Sequence, residues 1–200
     1  MNSFIKRLFI VSLATLPLSP VFSQGTSDTK QKKYSDKKSA AQDAAKLANI
    51  DKVVGHGGVL FGTPLPDSGF TLLQDRGDLK TYKKADEKLL IGPALLESVV
   101  YYFFKGKFYG FAFHTNSHHT NDIEDALALK NIFIDAFGSG ENSAGGEAST
   151  IWLGKKTGLI YDLNTSTGDA SSFLFDKAIH ETFLTDFAAS EQTAAEQLIK

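Results

Sequence analysis

Val99-Val100-Tyr101-Tyr102-Phe103-Phe104-Lys105-Gly106-Lys107-Phe108-Tyr109-Gly110-Phe111-Ala112-Phe113-His114 sets eight aromatic rings around a central Lys-Gly pair. Aromatic and β-branched side chains fit a pleated, half-buried surface, so both halves read as strands. Gly106 supplies the positive φ of a tight reversal, and the stretch is predicted to be a hairpin at the centre of a sheet. Successive rings point to opposite faces, so both faces of that sheet need cover.

Working outward, the N-terminal side carries short extended segments separated by turn residues. Phe70 to Gln74 is extended, Asp75-Arg76-Gly77-Asp78 is a turn, Leu79 to Lys83 alternates, and Leu89-Leu90-Ile91-Gly92 is a short apolar piece. Beyond the hairpin, Thr150 to Gly154 and Gly158 to Leu163 flank Lys155-Lys156-Thr157 as a second hairpin, and Ser171 to Phe175 makes a last strand. Strands recurring at such short spacing predict an antiparallel meander that leads into the aromatic hairpin.

Two helices are predicted to cover this sheet. From Asn121 to Phe137, Asn121 can cap the first turn with Glu124 three residues on, and Asp122, Glu124 and Asp125 suit the positive end of the helix dipole. Ile123, Leu127, Ile134 and Phe137, with Ala126 and Phe133 beside them, form the stripe expected to lie on the sheet, and Gly138 ends the helix. A C-terminal helix is expected from Ile179 through Phe183, Leu184 and Phe187. Strands grouped in runs with helices laid on a face make an α+β fold: an antiparallel sheet, meander plus central aromatic hairpin, with one main helix packed on one face and a C-terminal helix.

The 200 residues, 42% of them hydrophobic, suffice for one buried core. Met1 to Arg7 is short and basic, Leu8 to Leu18 is apolar, and Pro20-Val21-Phe22-Ser23 brings small residues. That order reads as a secretory signal peptide over residues 1–23, with the mature chain starting at Gln24. The apolar run falls well short of the roughly 20 residues that span a bilayer, so no transmembrane segment is expected after cleavage. Residues 24–49 read as a flexible tether ending in a weak alanine-rich helix, residues 50–176 as the α+β domain, and residues 177–200 as a C-terminal helix and tail. Cleavage removes Lys6 and Arg7 and no acid, leaving 19 basic against 23 acidic residues, so the net charge moves from −2 to −4. Such a chain does not suit nucleic acid, whose phosphates need clustered Lys and Arg. The absence of cysteine leaves no disulfide, and an exported chain without one suits a bacterial envelope, periplasmic or extracellular.

Several of these pieces recur in a fixed order: Phe61-Gly62-Thr63-Pro64; Asp75 to Tyr82; Leu90-Ile91-Gly92 with Leu95, Glu97-Ser98-Val99 and Tyr101; Phe104 to Phe108; a helix ending in Phe137-Gly138; and Trp152-Leu153-Gly154. In that order the chain resembles an uncharacterised group of exported bacterial α+β modules over about residues 59–175. The resemblance implies the fold and carries no activity with it.

Three imidazoles in His114-Thr115-Asn116-Ser117-His118-His119 stand within six residues, so His114, His118 and His119 are the candidate metal ligands, with Asp122 as a carboxylate partner. His180-Glu181 beside Asp176 is a candidate acid–base pair, and Ser117, Ser171 and Ser172 are candidate nucleophiles, although no Gly-x-Ser-x-Gly elbow and no His-Glu-x-x-His run is present. The sheet aromatics Tyr102, Phe104 and Tyr109 form a candidate contact patch if one face is left open. Aromatic sheet surface is abundant while convergent catalytic patterns are diffuse. The expected function is therefore an exported, non-catalytic binding or interaction module, needing no cofactor, with an envelope protein, a glycan or an apolar ligand as partner. A metal-binding protein or hydrolytic enzyme built on His114, His118 and His119 is the alternative.

Overall fold

The computed structural model describes residues 41–115, 122–143 and 148–198. The expected leader, most of the expected tether, the expected cap at Asn121, and Ser117, His118 and His119 lie outside the described residues. In chain order the elements are helix α1 over residues 41–47, a 3-10 turn (Ala48–Lys52), β1 (Gly55–His56), β2 (Val59–Leu60), β3 (Phe70–Arg76), β4 (Leu79–Lys84), β5 (Leu90–Ile91), β6 (Ala94–Leu95), β7 (Ser98–Phe104), β8 (Lys107–His114), α2 (Asp122–Phe137), β9 (Glu141–Asn142), β10 (Ser149–Leu153), β11 (Thr157–Leu163), β12 (Ala170–Asp176) and α3 (Lys177–Leu198). Eight strands form one antiparallel sheet in the order β3-β4-β7-β8-β12-β11-β10-β9, and β1-β2 and β5-β6 are separate two-stranded ribbons. The protein is an α+β fold with helices packed on an antiparallel sheet, as its sequence predicts.

The aromatic hairpin is β7-β8, inside the sheet. Its turn places Lys105 at φ 48° and Gly106 at φ 74°, the two positive values that a two-residue reversal needs to match strand twist. A bulge interrupts the ladder: Tyr102 opposes Gly110 while Phe103 opposes Phe108, leaving Tyr109 as the extra residue.

Face one buries Val99, Tyr101, Phe103, Phe108, Phe111 and Phe113 of the hairpin together with Trp152, Leu159 and Tyr161. Helix α2 covers part of it with a stripe rotated from the expected one, keeping Ala126, Phe133, Phe137 and half-buried Ile134 and adding Leu129. Ala126, Leu129, Phe133 and Phe137 are buried, whereas Ile123 and Leu127 are 51% and 45% exposed. The small side chain of Ala126 lets the helix backbone come close enough for the Tyr161 hydroxyl to donate to the Ala126 carbonyl at 2.8 Å, and Trp152 Nε1 donates to the Gly138 carbonyl at 2.7 Å. Those two bonds, with Phe133 packed between Trp152 and Tyr161, fix the rotation of the helix.

The turn end of face two is covered by α3. Asp176 starts this helix, its Oδ1 accepting from the Ile179 N–H at 2.9 Å in the manner of an N-cap. Lys177 Nζ reaches the Gly154 carbonyl at 3.0 Å, Phe183 packs on Phe104 and Tyr109, and Asp186 meets Lys105 Nζ at 2.8 Å. These contacts carry α3 across the sheet near the β7-β8 turn, from β12 over β8 to β7.

Glycines make room for rings on this face. Phe175 stands opposite both Gly110 and Gly158, and the ring of Phe173 lies over Gly110, where a Cβ would come within 2.6 Å of it. Gly110→Ala should therefore destabilise the protein by roughly 1–3 kcal/mol through overpacking, measured by urea unfolding; an unchanged midpoint would show that the ring sits elsewhere.

Candidate functional site

Strand alternation and register together build a polar row on face two. Ser98 stands opposite His114, His114 opposite Ser171, Ser171 opposite Asp162, and Asp162 opposite Ser149, on the adjoining strands β7, β8, β12, β11 and β10. All five side chains are half-buried. At the usual strand spacing the row runs for roughly 19 Å across the sheet. Beside it lies an apolar row, Val100, Ala112, Phe173, Ile160 and Ile151, and only beyond that come Tyr102, Gly110 and Phe175 near the turn end where α3 crosses. The helix thus covers the turn end of face two, and the polar row lies at the other end. One alternation step before Ser171, Asp169 carries a buried Oδ1 without a hydrogen-bond partner, while its Oδ2 accepts from Thr167.

This geometry limits the chemistry. A serine triad needs its carboxylate on the imidazole, to hold the tautomer and offset the charge that forms there. Here Ser171 stands between His114 and Asp162, which are two strands and therefore roughly 10 Å apart. Burial holds the His114 imidazole below its ordinary pKa, so at neutral pH the ring is uncharged and has one donor and one acceptor nitrogen. The row can donate and accept hydrogen bonds along its length. It lacks the arrangement for acyl transfer.

The other candidates have structural surroundings. Phe104 and Tyr109, 5% and 2% exposed, lie beneath α3, and Tyr102 packs edge-on against Phe173; the sheet aromatics are covered because Phe183 and Ile179 of that helix pack there. Ser172 faces the opposite side from Ser171 and is fully buried. His180 is not paired with an acid: Asp176 caps the helix, and the imidazole is enclosed by Phe175 at 4.3 Å between ring centres, with Tyr109, Phe173 and Phe183 around it. Among the described residues no group of three or more His, Cys, Asp or Glu side chains could hold a metal ion.

A network absent from the sequence reading lies on face one. The Tyr101 hydroxyl donates to Glu87 Oε2, His56 Nε2 lies 3.2 Å from Glu87 Oε1, and the His56 ring stacks on Phe111 at 4.6 Å. Lys84 Nζ donates to the Gly57 carbonyl at 2.6 Å. Burial and then the Glu87 bond push the Tyr101 phenol far above its ordinary pKa; burial holds His56 below its own, against the opposing pull of Glu87. Both oxygens of Glu87 are engaged, and the network fastens the β1-β2 ribbon to the sheet. Asp51 does similar work at the second hairpin, accepting from the backbone N–H groups of Lys155, Lys156 and Thr157. Burial raises its pKa, but those three bonds together hold it below the ordinary value. Two shallow depressions, of about 220 Å³ beside Tyr82 and Phe103 and about 250 Å³ beside Leu47 and Trp152, lie away from the polar row.

Burial alone lowers the His180 pKa from 6.5 to about 4. The folded state therefore disfavours the charged ring: its stabilising contribution is complete above pH 6.5 and is lost as the pH falls from there toward 4. The span corresponds to ~3 kcal/mol. His180→Phe should flatten the acid limb of a stability–pH profile measured by chemical denaturation, whereas an unchanged limb would show that the imidazole is already solvated.

Compared with protein-family models, curated proteins and solved structures, the chain matches none of them.

Proposed function

We propose that the protein is an exported, non-catalytic binding module that engages its partner through the end of the sheet's second face beyond the crossing of α3. The observation that carries this reading is the row Ser98, His114, Ser171, Asp162 and Ser149, laid side by side by strand register and away from the crossing of α3. Such a strip offers hydrogen bonds without the Ser–His–carboxylate order of a hydrolase, and the titratable groups at Glu87, Asp51 and Asp176 are engaged in holding the fold. Export is supported by the basic start, short apolar run and small residues of positions 1–23. Among the described residues no helix is long and apolar enough to cross a membrane.

The test uses a photo-crosslinker attached at Ser149→Cys, at the margin of the row, with Asp67→Cys in the exposed loop before β3 as the control. Incubated with envelope extract, the Ser149 probe should capture a component that the Asp67 probe does not. Equal capture at both positions would sink the reading. Intact mass of the chain recovered from the envelope should begin at Gln24, and an uncleaved cytoplasmic chain would refute export.

A further inference from the structure

We propose that the polar row on face two is a site for a polyhydroxylated chain, a glycan, with Asp162 and Ser171 as its principal hydrogen-bonding residues. This rests on the binding-module reading and names its ligand class. The warrant is the pairing of two adjacent rows of different chemistry. Ser98, Ser171 and Ser149 each carry a hydroxyl that donates once and accepts twice, and Asp162 accepts only. Vicinal sugar hydroxyls make the complementary demand: each donates and accepts, and two neighbouring ones can share a carboxylate. The adjoining apolar row, with half-buried Val100, Ile160 and Ile151, gives a strip for the C–H face of a pyranose ring whose hydroxyl edge lies on the polar row.

The same features disfavour other ligands. A phosphate site calls for cations, and the row contains no Lys or Arg. A partner strand would need unpaired backbone groups along the row, whereas its three central strands, β8, β12 and β11, are paired on both sides. Asp169, one alternation step from Ser171 at the start of β12, stands beside the middle of the row, and its buried Oδ1 has no hydrogen-bond partner. Repetition across five strands makes the site elongated, and a chain of sugar units fits it better than a single small molecule.

The experiment takes the full chain as exported and four soluble probes: cellohexaose, chitohexaose, maltohexaose and laminarihexaose, read by saturation-transfer NMR and titration calorimetry. At least one should bind. Asp162→Asn and Ser171→Ala should each weaken that binding by at least about tenfold, as the loss of one charge-assisted or directed hydrogen bond does. Their melting temperatures should stay within about 2 °C of wild type, the usual effect of a half-exposed substitution. Binding that survives both substitutions overturns the assignment of the row. If no probe binds while the Ser149 crosslinker still captures a protein, the glycan assignment falls and the binding-module reading stands; if neither is seen, both fall.

Discussion

Phe111→Ala should lower the free energy of unfolding by about 3–5 kcal/mol, the range for a fully buried phenylalanine whose cavity refills poorly. Phe111 is 2% exposed, and its ring is stacked by His56 on one side and set against Phe108 and Phe113 on the others. Those neighbours belong to three different constraints: the β1-β2 ribbon held by Glu87, the aromatic hairpin, and the layer beneath α2. Collapse around the hole would require all three to move, so little of the lost contact is recovered. Equilibrium denaturation of wild type and variant measures the effect directly, and a loss below about 1 kcal/mol would mean that the ring faces water and the hairpin is arranged otherwise.

Removal of residues 177–200 should have a larger effect still. Without α3, Phe104, Tyr109 and Phe175 lose their cover and Phe183 is gone. Uncovering aromatic side chains of this size costs about 1.5–3 kcal/mol each, and the total reaches the whole stability of an ordinary domain. The truncated chain should show no cooperative thermal transition and should bind a hydrophobic dye. A truncated chain that melts cooperatively near the wild-type temperature would show that α3 is an appendage on a sheet that needs no cover there. Phe183→Ala keeps the helix and tests the same contact at smaller cost, and it should destabilise without abolishing the fold.

The parts of the fold legible in the sequence are those that local chemistry decides. Eight rings around Lys105-Gly106 specify a hairpin because so many sheet-forming side chains flank a glycine free to take the positive φ of a tight reversal. The span of α2 was legible for the same kind of reason, since its apolar residues recur at helical steps and Gly138 ends it. Its rotation was not, because two overlapping stripes exist. Ile123 and Leu127 belong to one, Ala126, Leu129 and Phe133 to the other, and the bonds from Tyr161 to Ala126 and from Trp152 to Gly138, with Phe133 set between those two rings, choose between them. The role of His180 was hidden likewise. Beside Glu181 and Asp176 in sequence it resembles an acid–base group, yet the helix turns it inward among rings supplied by β8 and β12.

The polar row was legible only strand by strand. Alternation shows that His114 and Phe113 face opposite ways, as do Ser171 and Ser172, but it is silent on register between strands distant in the chain. A slip of one residue would have put Ser172 beside His114 and turned the row inward. Register within the hairpin follows from the turn at Lys105-Gly106 and the bulge at Tyr109, whereas between β8, β12 and β11 it is decided by the placing of Phe175 between two glycines, a long-range packing fact.

Because the chain contains no cysteine, single-cysteine variants read each position alone. The most direct measurement compares maleimide labelling of Ser171→Cys with Ser172→Cys, and of Ser149→Cys with Thr150→Cys, under native conditions and after unfolding. Ser171 and Ser149 belong to the half-buried row, whereas Ser172 and Thr150 are 0% and 1% exposed on the face beneath α2. The open-row account predicts that the first member of each pair labels readily in the folded protein and the second only on unfolding. Protection of Ser171→Cys and Ser149→Cys in the native state, or equal labelling within each pair, would contradict it.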